Sequence, residues 1–460
     1  MSVAQAIING MTTAANLPCV APSGTAHCPL GRVRIGVFFD GTSNSMYKDW
    51  PNGEADSPTH KWGNDNGPSN IAKLWKLFRD QPPVQKRVYH HGVGADSTIP
   101  LQKKHPELAQ DKPTAETYWD WQGGAFGAGG KARVQWGMKQ CADFFSRKPN
   151  DLATEKLIDT FGFSRGAAIA RDFVNTVLTQ RIDNLNEKHG TRLKMVGAGF
   201  GTTYVEVPVY RPHVHVFHEF LGVFDTVASF GAGGPAWADS AAGYNFFIDH
   251  KQVRRTVHMV AEDEVRGNFP LTSLFQEPHG HPVKQPANMK EIWYPGCHSD
   301  VGGGYLHILG KDAVPARTER RAMRGGVVNI TIPAKPAVPL KKPDLAHIPL
   351  HDMHQAAVKG SVPLNPIPGG KLWDIPGDLQ RDYDGYDGFR AKKKYAQVPG
   401  GGVYLQSWPS ETYRAMRAER AGNPSFHTLD VNYGHDSRWA VDRLYDRQQR
   451  TVHYMAPQKD

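Results

Sequence analysis

A serine hydroxyl attacks a carbonyl carbon only when a base takes its proton and the backbone holds it at an exposed turn. Gly162-Phe163-Ser164-Arg165-Gly166 has the residues for such a turn. Glycines two positions before and after the serine leave room where a Cβ would collide with the neighbouring strand and helix. The flanks agree. Leu157-Ile158-Asp159-Thr160-Phe161 is an apolar strand candidate, and Ala167-Ala168-Ile169-Ala170 opens a segment with Phe173, Val174, Val177 and Leu178 on one helical face. The other reading of these residues is a glycine-rich strand-to-helix turn with a capping serine.

A nucleophilic serine on this scaffold is followed in the chain by an acid and then a histidine, each on a loop after a strand. Asp225 closes the apolar run Phe220-Leu221-Gly222-Val223-Phe224. A carboxylate there would orient the histidine and stabilise its cation; alternatively it caps a helix at Thr226-Val227. The chain has 21 histidines, so place decides among them. His298 follows Ile292-Trp293-Tyr294 and a Pro-Gly turn, and it precedes Val301-Gly302-Gly303-Gly304-Tyr305. His435 and His427 are its rivals. The backbone N–H of Arg165 is one expected oxyanion donor. The second is expected in the loop after Arg34-Ile35-Gly36-Val37-Phe38-Phe39, from Gly41, with Thr42 beside it.

These residues need a scaffold, and the rest of the chain supplies its pattern. Apolar runs at 34–39, 157–161 and 220–224 alternate with helical faces at 71–78, 131–147 and 173–178, and Val257-His258-Met259-Val260 reads as a further short element. The alternation predicts an α/β fold with a mostly parallel central sheet and helices on both faces. With the turn at Ser164 it is α/β-hydrolase-like, carrying irregular insertions and a Pro/Lys-rich C-terminal part. The expected organisation is an extended leader at 1–31, a catalytic domain at 32–310, a Pro/Lys-rich excursion or linker at 311–349, and a C-terminal part at 350–460 packing on that domain. The glycine-rich stretch 123–130 reads as a mobile loop or lid hinge.

Composition excludes some classes. The 460 residues include 54 Lys+Arg against 45 Asp+Glu, a formal charge of +9. No dense basic run of the nucleic-acid type accompanies it; the nearest cluster, 317–324, is mixed and loop-like. An anionic lipid surface suits the charge at least as well. The four cysteines form no CxxC pair, so zinc ribbons and thioredoxin motifs are excluded. Cys19 and Cys28 are read either as a bridge or as two free thiols. No secretory signal peptide and no spanning apolar stretch is read. His213, His215 and His218 suggest a metal patch, but strand alternation splits them between two faces, and solvent-side histidines are expected instead. Asp263-Glu264 beside Arg266 is expected to be a salt-bridged cluster rather than an acid/base pair. Asp40 and Asp300 could bind a cation or orient loops. No cofactor and no metal is expected.

Six motifs in order carry a resemblance: Val37-Phe38-Phe39-Asp40-Gly41-Thr42-Ser43-Asn44, Ser69-Asn70-Ile71, Gly162-Phe163-Ser164-Arg165-Gly166-Ala167, Gly222-Val223-Phe224-Asp225-Thr226-Val227, Ala261-Glu262-Asp263-Glu264-Val265-Arg266, and Trp293 to Tyr305. Together they resemble the α/β-hydrolase domain of the type VI secretion lipase effectors, first subfamily. The resemblance implies phospholipase A activity on bacterial membrane glycerophospholipids, with Ser164 as nucleophile, Asp225 as triad acid and His298 as base. It also implies injection into a competitor's periplasm by a secretion-apparatus spike or adaptor protein, without a signal peptide, and a cognate immunity protein. A cytoplasmic serine esterase on small substrates and a non-enzymatic binding module on a hydrolase scaffold are the alternatives.

Overall fold

In the computed structural model the described residues are 31–50, 66–95, 129–147, 150–179, 186–196, 203–212, 216–230, 243–264, 266, 269–274, 286–305, 317–323, 326–332, 342–392, 397–398, 402–403, 420, 422–433 and 452–453. The apolar runs become one sheet. Its strands are β1 (Arg32–Phe39), β2 (Gln85–His90), β3 (Glu155–Phe163), β4 (Val216–Phe224), β5 (Val253–Ala261) and β6 (Met289–Tyr294). They lie in the order β6-β5-β4-β3-β1-β2, and every pairing is parallel. Parallel strands covered on both faces read as continuous apolar runs rather than alternating ones. The stretch 257–260, read as a short element, is the middle of the nine-residue β5.

Helices α1 (Asn70–Leu77), α2 (Gly130–Ser146), α3 (Arg165–Thr179), α4 (His298–Gly302), α5 (His347–Lys359), α6 (Gly377–Lys392) and α7 (Pro424–Asn432) complete the core. Successive strand side chains point to opposite faces. Val33, Ile35, Val37 and Phe39 meet Val134, Met138, Phe145 and Phe173 of α2 and α3 on one face. Phe38, Phe161 and Phe220 meet Ile71, Leu74, Met353 and Tyr383 of α1, α5 and α6 on the other. The predicted layers are therefore both present.

Two antiparallel hairpins interrupt the alternation, Asn186–Val196 with Thr203–Pro212 and Arg317–Met323 with Gly326–Ile332. The second corrects one expectation and adds to another. Residues 317–323 of the mixed basic cluster lie in a strand, not a loop, and the stretch read as an excursion or linker contains this hairpin. The break expected at 349/350 falls inside α5, which starts at His347 and buries Ile348, Leu350 and Met353. The leader with Cys19 and Cys28, the glycines at 123–128, and His213, His215 and His435 lie outside the described residues. Among the described residues no helix is long and apolar enough to cross a membrane.

Candidate active site

Parallel register brings the loops of β1, β3 and β4 to one edge of the sheet. Phe39 pairs with Gly162, and Phe163 pairs with Phe224, so Asp40, Ser164 and Asp225 leave the carboxyl ends side by side. That edge is where open α/β sheets bind ligands.

Ser164 has φ +58°, a left-handed conformation that non-glycine residues adopt only when their surroundings enforce it. Here close packing enforces it. A Cβ at Gly162 would sit 2.5 Å from the carbonyl oxygen of Gly166, and one at Gly166 would sit 2.3 Å from that of Asp40. Only glycine lets α3 start this close to β3 and β1. Hydrogen bonds then fix the turn against β4: Ser164 N–H donates to Phe224 O at 3.0 Å, and Val227 N–H donates to Ser164 O at 3.3 Å.

Those two bonds bracket Asp225. It is fully buried with φ +39° and does not cap a helix. Its Oδ1 accepts from Ala261 N–H at 3.0 Å and its Oδ2 meets Nδ1 of His298 at 2.5 Å. The carboxylate thus takes Nδ1–H and leaves Nε2 of His298 with its lone pair. His298 opens α4, whose capping box joins Cys297 and Asp300. Its ring lies over Phe163, with 4.6 Å between ring centroids, and Phe269 meets it edge-on at 4.9 Å. Burial holds the His298 pKa below the usual imidazole value, against the opposing pull of Asp225. The ring is therefore neutral at neutral pH, the form a general base needs. Ser164 Oγ and Nε2 form no hydrogen bond in this structure. Catalytic hydrogen bonds of this kind commonly tighten only around substrate. His427, one of the rival histidines, sits exposed on α7.

The loop after β1 departs from expectation. Gly41 N–H donates to Oδ1 of Asp40 at 2.7 Å, which withdraws it from the oxyanion role. Thr42 is the next residue, and its N–H has no partner among the described residues. Its hydroxyl accepts from Nε of Arg165 at 2.7 Å, which ties this loop to the start of α3. Asp40 also accepts from Ser69 Oγ at 2.6 Å and Tyr89 OH at 2.5 Å. Burial pushes its pKa up to about 6, while these three donors resist the rise. Asp40 and Asp300 both orient loops through backbone N–H groups, Asp300 by accepting from Cys297 N–H at 2.9 Å. Tyr89 carried no motif, and the Ser69-Asn70-Ile71 motif did not mark Ser69 as a partner of Asp40.

The acidic cluster is salt-bridged as expected. Glu264 holds Arg266 through two bonds of 2.9 and 2.8 Å and accepts from His298 N–H at 3.3 Å. Arg420 reaches Asp263 and Glu262 from the C-terminal part at 3.0 and 3.1 Å. His218 is not on a solvent face. It is buried on β4, edge-on to Phe173, and neither ring nitrogen finds a hydrogen bond among the described residues.

Comparison with known proteins decides the family. Residues 34–196 and 208–354, more than half of the chain, match the model of the type VI secretion system (T6SS) phospholipase effector Tle1-like catalytic domain. The chain belongs to this family. A Tle1 effector bound to the VgrG spike of the type 6 secretion system is 18% identical over 88% of each chain, with a TM-score of 0.46. An uncharacterized protein from Pseudomonas aeruginosa is 18% identical over 88% of this chain and 65% of its own, with a TM-score of 0.43. Comparison with curated proteins finds no match. In this Tle1-like chain the family's matched segments end within α5, so they include Ser164, Asp225 and His298.

Proposed function

We propose that the chain is an antibacterial phospholipase A that cleaves the acyl esters of membrane glycerophospholipids through Ser164, His298 and Asp225. The observation that carries this reading is the left-handed Ser164 turn hydrogen-bonded around Asp225, whose carboxylate meets the imidazole of His298 at 2.5 Å.

In the proposed reaction Ser164 Oγ attacks the ester carbonyl carbon while Nε2 of His298 takes the hydroxyl proton. Asp225 stabilises the resulting imidazolium. The N–H groups of Arg165 and Thr42 receive the developing oxyanion, a contribution that typically amounts to ~10²–10³ in rate per donor. Collapse breaks the C–O bond, and His298 returns the proton to the departing lysolipid alkoxide. Water, deprotonated by the same imidazole, then attacks the acyl-serine and releases the fatty acid.

The positive charge of the chain suits an anionic lipid surface. Family membership supports delivery by type VI secretion. Release into a target periplasm, a spike or adaptor protein as carrier, and a cognate immunity protein in the producer belong to the same proposal. The test is lipid-product mass spectrometry on vesicles of phosphatidylethanolamine and phosphatidylglycerol. Fatty acid and lysolipid should accumulate with the wild type and not with Ser164→Ala; equal release by both sinks the reading. Hydrolysis of p-nitrophenyl butyrate without action on vesicles would point to a small-ester esterase.

A further inference from the structure

A second buried histidine–carboxylate pair lies against the acid turn. His258 is on β5 and Glu291 on β6, and both are buried. Nδ1 of His258 meets Oε2 of Glu291 at 3.0 Å. Nε2 of His258 accepts from the N–H of Thr226, the residue after Asp225, at 3.1 Å. An N–H donor at Nε2 requires a lone pair there, so the ring carries its proton on Nδ1 and gives it to Glu291. Glu291 is held in turn by Ser273 Oγ at 3.0 Å and Leu274 N–H at 3.0 Å.

β5 therefore clamps the acid turn in three places. Met259 O accepts from Asp225 N–H at 2.7 Å, Ala261 N–H donates to Asp225 Oδ1, and the His258 ring receives Thr226 N–H. Thr226 O is held from the opposite side by Thr272 N–H at 2.9 Å. The first two contacts need no particular side chain on β5. The third places a polar pair where an apolar residue would avoid the desolvation cost. An acid at φ +39° keeps that conformation only while its surroundings over-determine it.

We propose that His258 and Glu291 are positioning residues that fix the acid turn, through a single imidazole tautomer, so that Asp225 stays aligned on His298. This rests on the triad reading above. Three charged groups face the His258 ring: Glu291 on β6, Asp225 at the end of β4, and Arg171 on α3. Arg171 is itself anchored to the carbonyls of Phe246, Thr272 and Ser273. Burial disfavours the imidazolium and Arg171 adds to that, against Glu291 and Asp225, so the ring stays neutral and keeps its acceptor.

The experiment measures p-nitrophenyl butyrate hydrolysis by full-length wild type, His258→Leu, His258→Gln and Glu291→Gln, normalised by fluorophosphonate labelling of Ser164. His258→Leu removes the acceptor. Glu291→Gln keeps an acceptor oxygen where Oε2 receives His258 Nδ1–H, Ser273 Oγ and Leu274 N–H, so it preserves the tautomer and removes only the charge. His258→Gln supplies both an acceptor and a donor. His258→Leu should lose about tenfold in kcat with KM unchanged, whereas His258→Gln and Glu291→Gln, which keep the acceptor for Thr226 N–H, should keep most of it. The acid limb of kcat/KM should move to lower pH in His258→Leu, because a misaligned Asp225 stabilises the His298 cation less. Unchanged kcat and acid limb per labelled site overturn the inference. If His258→Leu does not fold, nitrogen-15 NMR of wild-type histidines decides: the proton on Nδ1 of His258 supports it, and the proton on Nε2 overturns it. Ser164→Ala runs alongside. Activity surviving in that variant overturns the triad reading and this inference together, while an inactive Ser164→Ala beside a fully active His258→Leu overturns this inference alone.

Discussion

Two turns leave the carboxyl ends of the adjacent strands β1 and β3, and they are held in place by different physics. Each carries a serine in the left-handed region, Ser43 at φ +62° and Ser164 at φ +58°. The Ser164 turn is held by exclusion, because glycines at 162 and 166 let backbone meet backbone where a methyl group would overlap it. The β1 loop is held by a buried carboxylate, with Asp40 gathering Gly41 N–H, Ser69 Oγ and Tyr89 OH. Steric exclusion is indifferent to pH and salt. A hydrogen-bonded carboxylate whose pKa is pushed up to about 6 by burial is not. The Ser164 turn is thus fixed by shape, and the neighbouring β1 loop by an ionisable group.

Gly166→Ala breaks the contrast most severely, because it strikes both turns at once. Its Cβ would lie 2.3 Å from Asp40 O and 2.4 Å from Phe39 O, and neither carbonyl can swing aside as a side chain would. Turnover of p-nitrophenyl butyrate should fall below detection, and stability by about 1–3 kcal/mol or more. Melting curves and ester hydrolysis check both. Wild-type kcat in this variant would show that the close approach is dispensable.

Asp40→Asn tests the other half. The amide keeps one acceptor but turns a donor toward either Tyr89 OH or the Gly41–Ser69 pair. We expect about a tenfold loss in kcat at pH 8 from a loosened Thr42 donor. The pH signatures have opposite signs for activity and stability. Above about 6 the ionised Asp40 serves all its donors, so wild-type kcat should fall as pH drops through that value. Because burial raises the folded-state pKa, ionisation costs folding free energy as pH rises through the same window. Asp40→Asn should therefore lose the activity step near pH 6 and gain stability relative to wild type above it. Parallel pH profiles of kcat and of the urea midpoint separate this from His298, whose acid limb should remain.

The difference between the two turns also explains what could be read from residues alone. Exclusion by glycine leaves a local, spaced signature, so Ser164, its strand and its helix were legible, as was the alternation that builds a parallel sheet. Asp225 and His298 were legible through position, each following an apolar run. The β1 loop was not, because the donors that surround Asp40 come from Ser69 and Tyr89 and no spacing rule links them. For that reason Gly41 was expected as the oxyanion donor although its N–H is taken by Asp40. His218 was misread for a related cause. Polar residues inside a two-sided strand look like a solvent face until the covering helix is known, and here Phe173 of α3 covers the ring.

His218 extends the contrast to a ring with no hydrogen-bond partner among the described residues, and its expected effect on catalysis is the smallest. Where the His298 ring is buried with a carboxylate, the His218 ring is buried with both nitrogens unsatisfied. Burial alone pushes its pKa down to about 4. An unfolded chain takes up that proton near pH 6.5, so the contribution of His218 to stability is complete above 6.5 and is lost as pH falls toward 4. The loss amounts to at most about 3 kcal/mol at 1.36 kcal/mol per pKa unit. His218→Leu replaces the ring with an apolar side chain that cannot titrate, so its urea midpoint should fall less between pH 7 and 4.5 than that of wild type. Its kcat at pH 8 should stay within about twofold of wild type, since His218 lies near the amino end of β4, and the catalytic edge lies at the other. An equal acid-induced fall in both proteins would mean that His218 takes up no proton on unfolding. A large loss of kcat with stability unchanged would mean that the two ends of β4 are coupled.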